Sequence, residues 1–315
     1  VVAEARASAK AMLSPDSVAS LSSSKPRPGL PQPAAKGTLA TTPLVHVLIY
    51  VLDHAITGSI ELTEADGETT HSIYVRRGAP VKVKTGRLVA PLGELLASAG
   101  KLALDRVPDL VIASQRDGVL FGERLISQGL ISRGQLWSTL ELQIPLKLER
   151  LANLAPETKY VLYKDVNLLE TWGGADAVAA DPVHVIHSVV RAWHDRARIK
   201  QTLARIAKHP LIIRPDAKIA GLKLAPDERA VLDAIREQRA TMSVLQHMRL
   251  ADAEALHSLV YTLAITRQLD LPNQKKSGPM GLRAASLPAP PPRHSAPPSR
   301  RKSGADFGAV SASTP

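Results

Sequence analysis

The sequence predicts an α+β fold: a small antiparallel β-meander with helical repeats, then a long helix and a mostly α-helical, winged-helix-like segment. Three observations predict it. Apolar residues alternate with polar ones between residues 58 and 84, broken by turn signals. A helical pattern starting at Leu92 recurs 29 residues later at Phe121. Apolar spacing is helical from residue 181 to 208 and again in three shorter stretches between residues 227 and 267.

The elements follow in order. Residues 1–43 are rich in Ser, Pro, Ala and Lys, with Pro26, Pro28, Pro31 and Pro33 closely spaced. Such a stretch buries too little to offset its ordering entropy and reads as a disordered tail. Residues 44–174 form the α+β domain. Leu44, Val45, Val47, Leu48, Val51 and Leu52 share one broad helical face behind Pro43. Residues 58–63 carry Ile60 and Leu62 on one face of a strand, and Asp66-Gly67 is a hairpin turn signal. Residues 71–76, with Ile73 and Val75, pair back. Gly78-Ala79-Pro80 then turns the chain into a third strand at 81–84.

In the repeat, Leu92-Gly93-Glu94-Leu95-Leu96 matches Phe121-Gly122-Glu123-Arg124-Leu125, and the register persists through Leu102/Ile131, Val107/Leu136 and Val111/Leu140. Each copy reads as a short helix closed by a glycine, Gly100 or Gly129, followed by a second helix. Residues 181–271 form the second domain. One long helix is expected from Asp181-Pro182 to Lys208, ending before Pro210. Three shorter helices are expected at 227–237, 241–247 and 251–267, with the apolar Leu269 and Leu271 after them. Residues 272–315 are a second basic, Pro/Ser-rich disordered tail.

Composition narrows the function classes. The chain has no cysteine, which excludes disulfides and thiolate chemistry and fits a reducing compartment. No apolar run approaches the roughly 20 residues needed to span a bilayer. No signal peptide leads the chain, so a cytoplasmic location is expected. The absence of an initiator Met reads as processing or a fragment. Net charge is +11, but residues 1–43 supply +3 and residues 272–315 supply +6. The 228 residues between carry +2, which argues against a dedicated nucleic-acid fold.

The order of elements from Leu44 to about Gly173 resembles the PATAN family of bacterial regulatory domains. The residues carrying the resemblance are Thr57-Gly58-Ser59-Ile60-Glu61-Leu62, then Ile73-Tyr74-Val75-Arg76-Arg77-Gly78-Ala79-Pro80-Val81, the two Leu/Phe-Gly-Glu copies, and Gln135 to Gln143. The resemblance implies a signalling unit that acts through another regulatory protein and holds no cofactor. Family members are often joined to receiver or J domains. Neither is recognisable here, since His209-Pro210 is followed by Leu211. The repeat is also similar to the tandem motif of secretion and pilus ATPases that binds cyclic di-GMP. The arginines opening that motif are replaced by Pro91 and Leu120, so nucleotide binding is not expected.

Candidate sites are few. No Gly-x-Ser-x-Gly, P-loop, Rossmann or His-Glu-x-x-His motif is present, so no enzyme is expected. His184, His187 and His194 have helical spacing but no carboxylate completes a ligand set, so no metal is expected. Asp105, Asp227, Glu228 and Glu254 fall at helix starts, where they complement the dipole. Arg76, Arg77, Lys82, Lys84 and Arg87 cluster on the meander. They are either a solvated strand face or a basic docking patch for an acidic partner. Trp172 and Trp193 are candidate anchors at a protein interface or ordinary core aromatics. A DNA-binding regulator, using residues 251–267 as a recognition helix, is the alternative, as is a degenerate cyclic di-GMP receptor.

Overall fold

Local alternation builds the sheet, and long-range pairing enlarges it. In the computed structural model, which describes residues 32–174 and 178–271, β2 (Gly58–Thr63), β3 (Thr70–Arg76) and β4 (Ala79–Lys84) form the expected antiparallel meander. Asp66 pins its first turn, its Oδ1 accepting from the Glu68 and Thr69 amides at 3.0 and 2.9 Å. Two further strands, β1 (Ala35–Thr38) and β5 (Lys159–Lys164), complete a sheet of order β1-β5-β2-β3-β4.

β1 corrects the reading of residues 1–43 as a disordered tail. Ala35 and Gly37 stand opposite Leu162 and Tyr160. A Cβ on Gly37 would lie 2.9 Å from the Tyr160 ring, so the two small residues let the strand lie flat on β5. Residues 1–31 of that tail, and the whole of the C-terminal tail 272–315, lie outside the described residues.

Helix α1 (Leu44–Asp53) buries the face expected of it, Leu44, Val45, Val47, Leu48 and Val51. The repeat then appears as two helix pairs built on one plan. α2 (Leu92–Ser98) leads through a 3₁₀ turn (Leu104–Arg106) to α3 (Val107–Arg116), and α4 (Phe121–Ser127) leads to α5 (Arg133–Ala152). Both glycines that follow the short helices have left-handed backbones, φ 65° at Gly100 and 68° at Gly129. The second residue of each short helix is a glycine pressed on the following helix. A Cβ on Gly93 would overlap Val107 Cγ1, and one on Gly122 would lie 2.9 Å from Leu136 Cδ1. Leu96, Leu102, Leu110, Leu125, Ile131 and Leu136 form the small core of this unit. α5 opens with a capping box between Ser132 and Gln135 and runs on from this core into the main one, where Ile144, Leu148 and Leu151 are buried.

The expected long helix from 181 to 208 is two helices. α6 (Pro182–Ala192) starts at Asp181, whose side chain accepts from the His184 amide at 2.8 Å. It stops at Trp193, which turns extended (φ −73°, ψ 128°) to bury its indole near His46 and Tyr261. Asn153 braces the break, donating to Ala192 O and accepting from the His194 amide. Asp195 then caps α7 (Arg196–Ile206).

Helices α8 (Pro226–Gln238), α9 (Met242–Met248) and α10 (Ala253–Ile265) follow as expected, with a bridge between Ile213 and Leu269. The apolar core does not divide between residues 174 and 181. One core joins the sheet, α1, the second half of α5 and α6 to α10, running from Ala35 to Leu271. α10 lies inside it: every residue from Ser258 to Ala264 is buried. The exposed residues of α10, Ala253 and Glu254, lie in its first turn, which offers no Lys or Arg to a phosphate.

Candidate functional site

The sheet turns one face to the core and the other outward, and strand register sets which side chains meet there. Ile60, Leu62, Ile73, Val75, Tyr160 and Leu162 face inward and are buried. On the outer face, one row crosses all five strands as Lys36, Val161, Glu61, Ser72 and Lys84. A second row holds Thr38, Lys159, Thr63 and Thr70. Every member of both rows is exposed or half-exposed. Three lysines against one glutamate make this surface basic.

The third row, Tyr163, Ser59, Tyr74 and Lys82, is closed off at Ser59 and Lys82. Ser59 Oγ donates to Val166 O at 2.8 Å and accepts from the Leu168 amide at 3.0 Å. Lys82 Nζ donates to Leu169 O, Trp172 O and Gly174 O at 3.3, 2.9 and 2.6 Å. The segment 166–174 is thus fastened across the row by an ammonium that serves as its carbonyl cap. Burial holds the Lys82 pKa below the ordinary lysine range.

The predicted docking residues therefore separate. Arg76 and Arg77 are exposed where β3 turns into β4, and Lys84 is half-exposed on the open row. Arg87 is exposed but ion-paired with Glu64 at 3.0 Å. Lys82 is only 9% exposed and committed to three carbonyls, which removes it from any docking patch. The β3–β4 register shifts at Tyr74/Val75, and all four residues from Pro80 to Val83 are buried. Trp193 is a core residue at 5% exposure. Trp172 is half-buried, with Lys147 Nζ 5.5 Å from its ring centroid. Lys36 and Lys159, which share the open face with Lys84, were invisible in the sequence because only the β1–β5–β2 register brings them there.

A second place gathers polar side chains. A cleft of about 320 Å³ between α5, α6 and the chain before α8 is lined by Glu149, His184, His187, Ser188, Arg191 and Lys223. At its floor, His187 Nε2 lies 3.1 Å from Glu228 Oε1 and Nδ1 lies 3.2 Å from Thr262 Oγ1. A carboxylate–imidazole–hydroxyl chain serves nucleophilic catalysis when the hydroxyl can give its proton to the ring and reach a substrate. Thr262 does neither: its side chain is fully buried and its hydroxyl donates to Ser258 O at 2.8 Å. The chain braces α6, α8 and α10 instead. Glu228, expected at an exposed helix start, is 1% exposed and also accepts from the Ala225 amide. Burial opposes its ionisation, but the His187 and Ala225 hydrogen bonds outweigh it and hold its pKa below the ordinary range. Among the described residues no group of three or more His, Asp or Glu is placed to hold a metal ion. No helix among them is long and apolar enough to cross a membrane.

A feature missed by dividing the charge into tails and core is its unevenness inside the core. Residues 191–223 hold nine Lys/Arg against two Asp. A running count of charge along the chain would have found it. Comparison of the chain with protein-family models, curated proteins and solved structures returns no match.

Proposed function

We propose that this chain is a non-catalytic regulatory adaptor of bacterial signalling, PATAN-like in its first part and winged-helix-like in its second, that docks an acidic surface of another regulatory protein. The observation that carries the reading is the outer row Lys36, Val161, Glu61, Ser72 and Lys84, flanked by Lys159. An antiparallel sheet packed on one side only offers a rigid, pre-formed platform, and rigid platforms bind with little ordering cost. Basic side chains on such a platform steer an acidic partner and set its register. The carboxylate–imidazole–hydroxyl chain of Glu228, His187 and Thr262 is read as a brace, because its hydroxyl is buried and donates to Ser258 O.

The test is a tagged full-length chain in bacterial lysate beside the variant K36E/K84E/K159E, with captured proteins read by mass spectrometry. The adaptor reading expects a discrete acidic partner, lost in the variant and lost as salt is raised. The same partner retained equally by both proteins would remove the sheet face from the reading. Substrate turnover abolished by a point substitution would replace the reading with an enzyme.

A further inference from the structure

We propose that the exposed face of α7 binds the phosphate backbone of a nucleic acid without reading its sequence. The helix buries Ile199 and Leu203 and leaves six exposed residues between 196 and 208. Five of these, Ala197, Lys200, Gln201, Ala204 and Arg205, fall on one side of the helix, and the sixth, Lys208, lies in the turn just past its end. Three are cations, none is acidic and none is a large apolar residue. The neighbouring charges are already matched: Arg196 with Glu254 at 3.3 Å and Arg198 with Asp195 at 3.2 Å. Among the described residues no carboxylate forms an ion pair with Lys200, Arg205 or Lys208.

The chemistry of the stripe selects the anion. Protein interfaces centre on aromatic and apolar anchors, of which the sheet face has Val161 and this stripe none, and a helix that lies on a membrane exposes its apolar face. α7 keeps its apolar face in the core and offers only cations, alanines and a glutamine. A phosphodiester backbone asks for no more than that. Lys200 and Arg205 stand about 7.5 Å apart along the axis, about the length of two phosphates of one strand, and Lys208 follows just past the helix end. Among the described residues no ion pair fixes these cations in the geometry that a base edge requires, so the contacts are to phosphates. The surface is separate in composition from the sheet face and does not depend on the adaptor reading.

The experiment uses the full-length chain and two labelled DNA duplexes of unrelated sequence, about 25 base pairs each, in fluorescence anisotropy titrations from about 50 to about 200 mM salt. Wild type is expected to bind both duplexes equally. The variant K200Q/R205Q/K208Q is expected to bind about tenfold or more weakly. Its dependence of log K on log salt should be shallower by about 2.7, or about 0.9 for each phosphate no longer neutralised. Each single substitution should move that slope by about one third as much. K275Q/K276Q/R283Q, with the same charge removed from the C-terminal segment, is expected to change the slope less than the α7 variant. No duplex binding by wild type overturns the proposal. So does an α7 variant indistinguishable from wild type, with the weakening appearing only in the C-terminal variant. Poly-L-glutamate that displaces the duplex at equal charge concentration, through the same three residues, would assign the stripe to acidic protein instead.

Discussion

Replacing Lys147 with methionine should make the protein more stable at neutral pH. The Lys147 ammonium is buried in α5, at 7% exposure, with a single acceptor, Val83 O at 3.0 Å, and the Trp172 ring beside it. No carboxylate among the described residues forms an ion pair with it. Burial lowers its pKa from 10.5 to about 8. At about 1.4 kcal/mol per unit, holding the charge in place at pH 7 costs about 3 kcal/mol relative to the unfolded chain. Methionine keeps an unbranched stem in the same space. Losing the amine's hydrogen bond and leaving Val83 O without its donor should cost about 1 to 2 kcal/mol. The net expectation is a gain of about 1 to 2 kcal/mol, read as a higher urea midpoint at pH 7 with an unchanged slope. The pH dependence provides the second reading. The unfolded chain binds the extra proton between about pH 8 and pH 10.5, so wild-type stability should rise across that window. The methionine variant should lack this rise, so the two stability curves should cross within the window and leave the wild type the more stable above it by about 1 to 2 kcal/mol. A lower midpoint for the variant at pH 7, or a wild type with no such rise, would refute the reasoning.

Two other outcomes follow from the packing. Burial, with Arg198 nearby, lowers the His46 pKa to about 4. Its folded value lies below the unfolded one, so wild-type stability should fall by about 2 to 3 kcal/mol as pH drops from about 6.5 to about 4. His46→Gln, which can still bond the Tyr261 hydroxyl now 3.0 Å from Nε2, should flatten that part of the profile in urea unfolding. In the repeat, Gly93→Ala should destabilise by about 1 to 3 kcal/mol, because the new methyl meets a β-branched, rotamer-locked Val107. Gly122→Ala meets the far end of Leu136, and the helix-propensity gain of about 1 kcal/mol should leave it near neutral. Equal costs for the two, by chemical denaturation, would show that the copies pack alike.

Much of the fold was legible because it is written in short-range chemistry. Alternation at Ile60, Leu62, Ile73 and Val75, with Asp66-Gly67 between, specifies a hairpin whatever surrounds it. The glycines at 100 and 129 take the left-handed backbone that ends each short helix, and Asp181 caps α6 as its position implies. What was not legible depends on partners distant in the chain. β1 has no alternation of its own and exists because Ala35 and Gly37 fit against Leu162 and Tyr160. The helical pattern from 181 to 208 is continuous in sequence, yet Trp193 gains more from burial near His46 and Tyr261 than from another helical turn.

The candidate site divides in the same way. Sequence by itself determined that the meander is basic, that the chain holds no thiol, and that a helical repeat follows the sheet. Only the tertiary structure decided that Lys82 caps the carbonyls of residues 166–174 while Lys84, two residues on, stays accessible. It also decided that Lys36 and Lys159 join Lys84 on one face, and that α10 is buried from Ser258 to Ala264 while α7 buries only Ile199 and Leu203. The physical reason is range. Caps, turns and periodicity act over a few residues, whereas burial and charge pairing depend on which segments a folded core brings together.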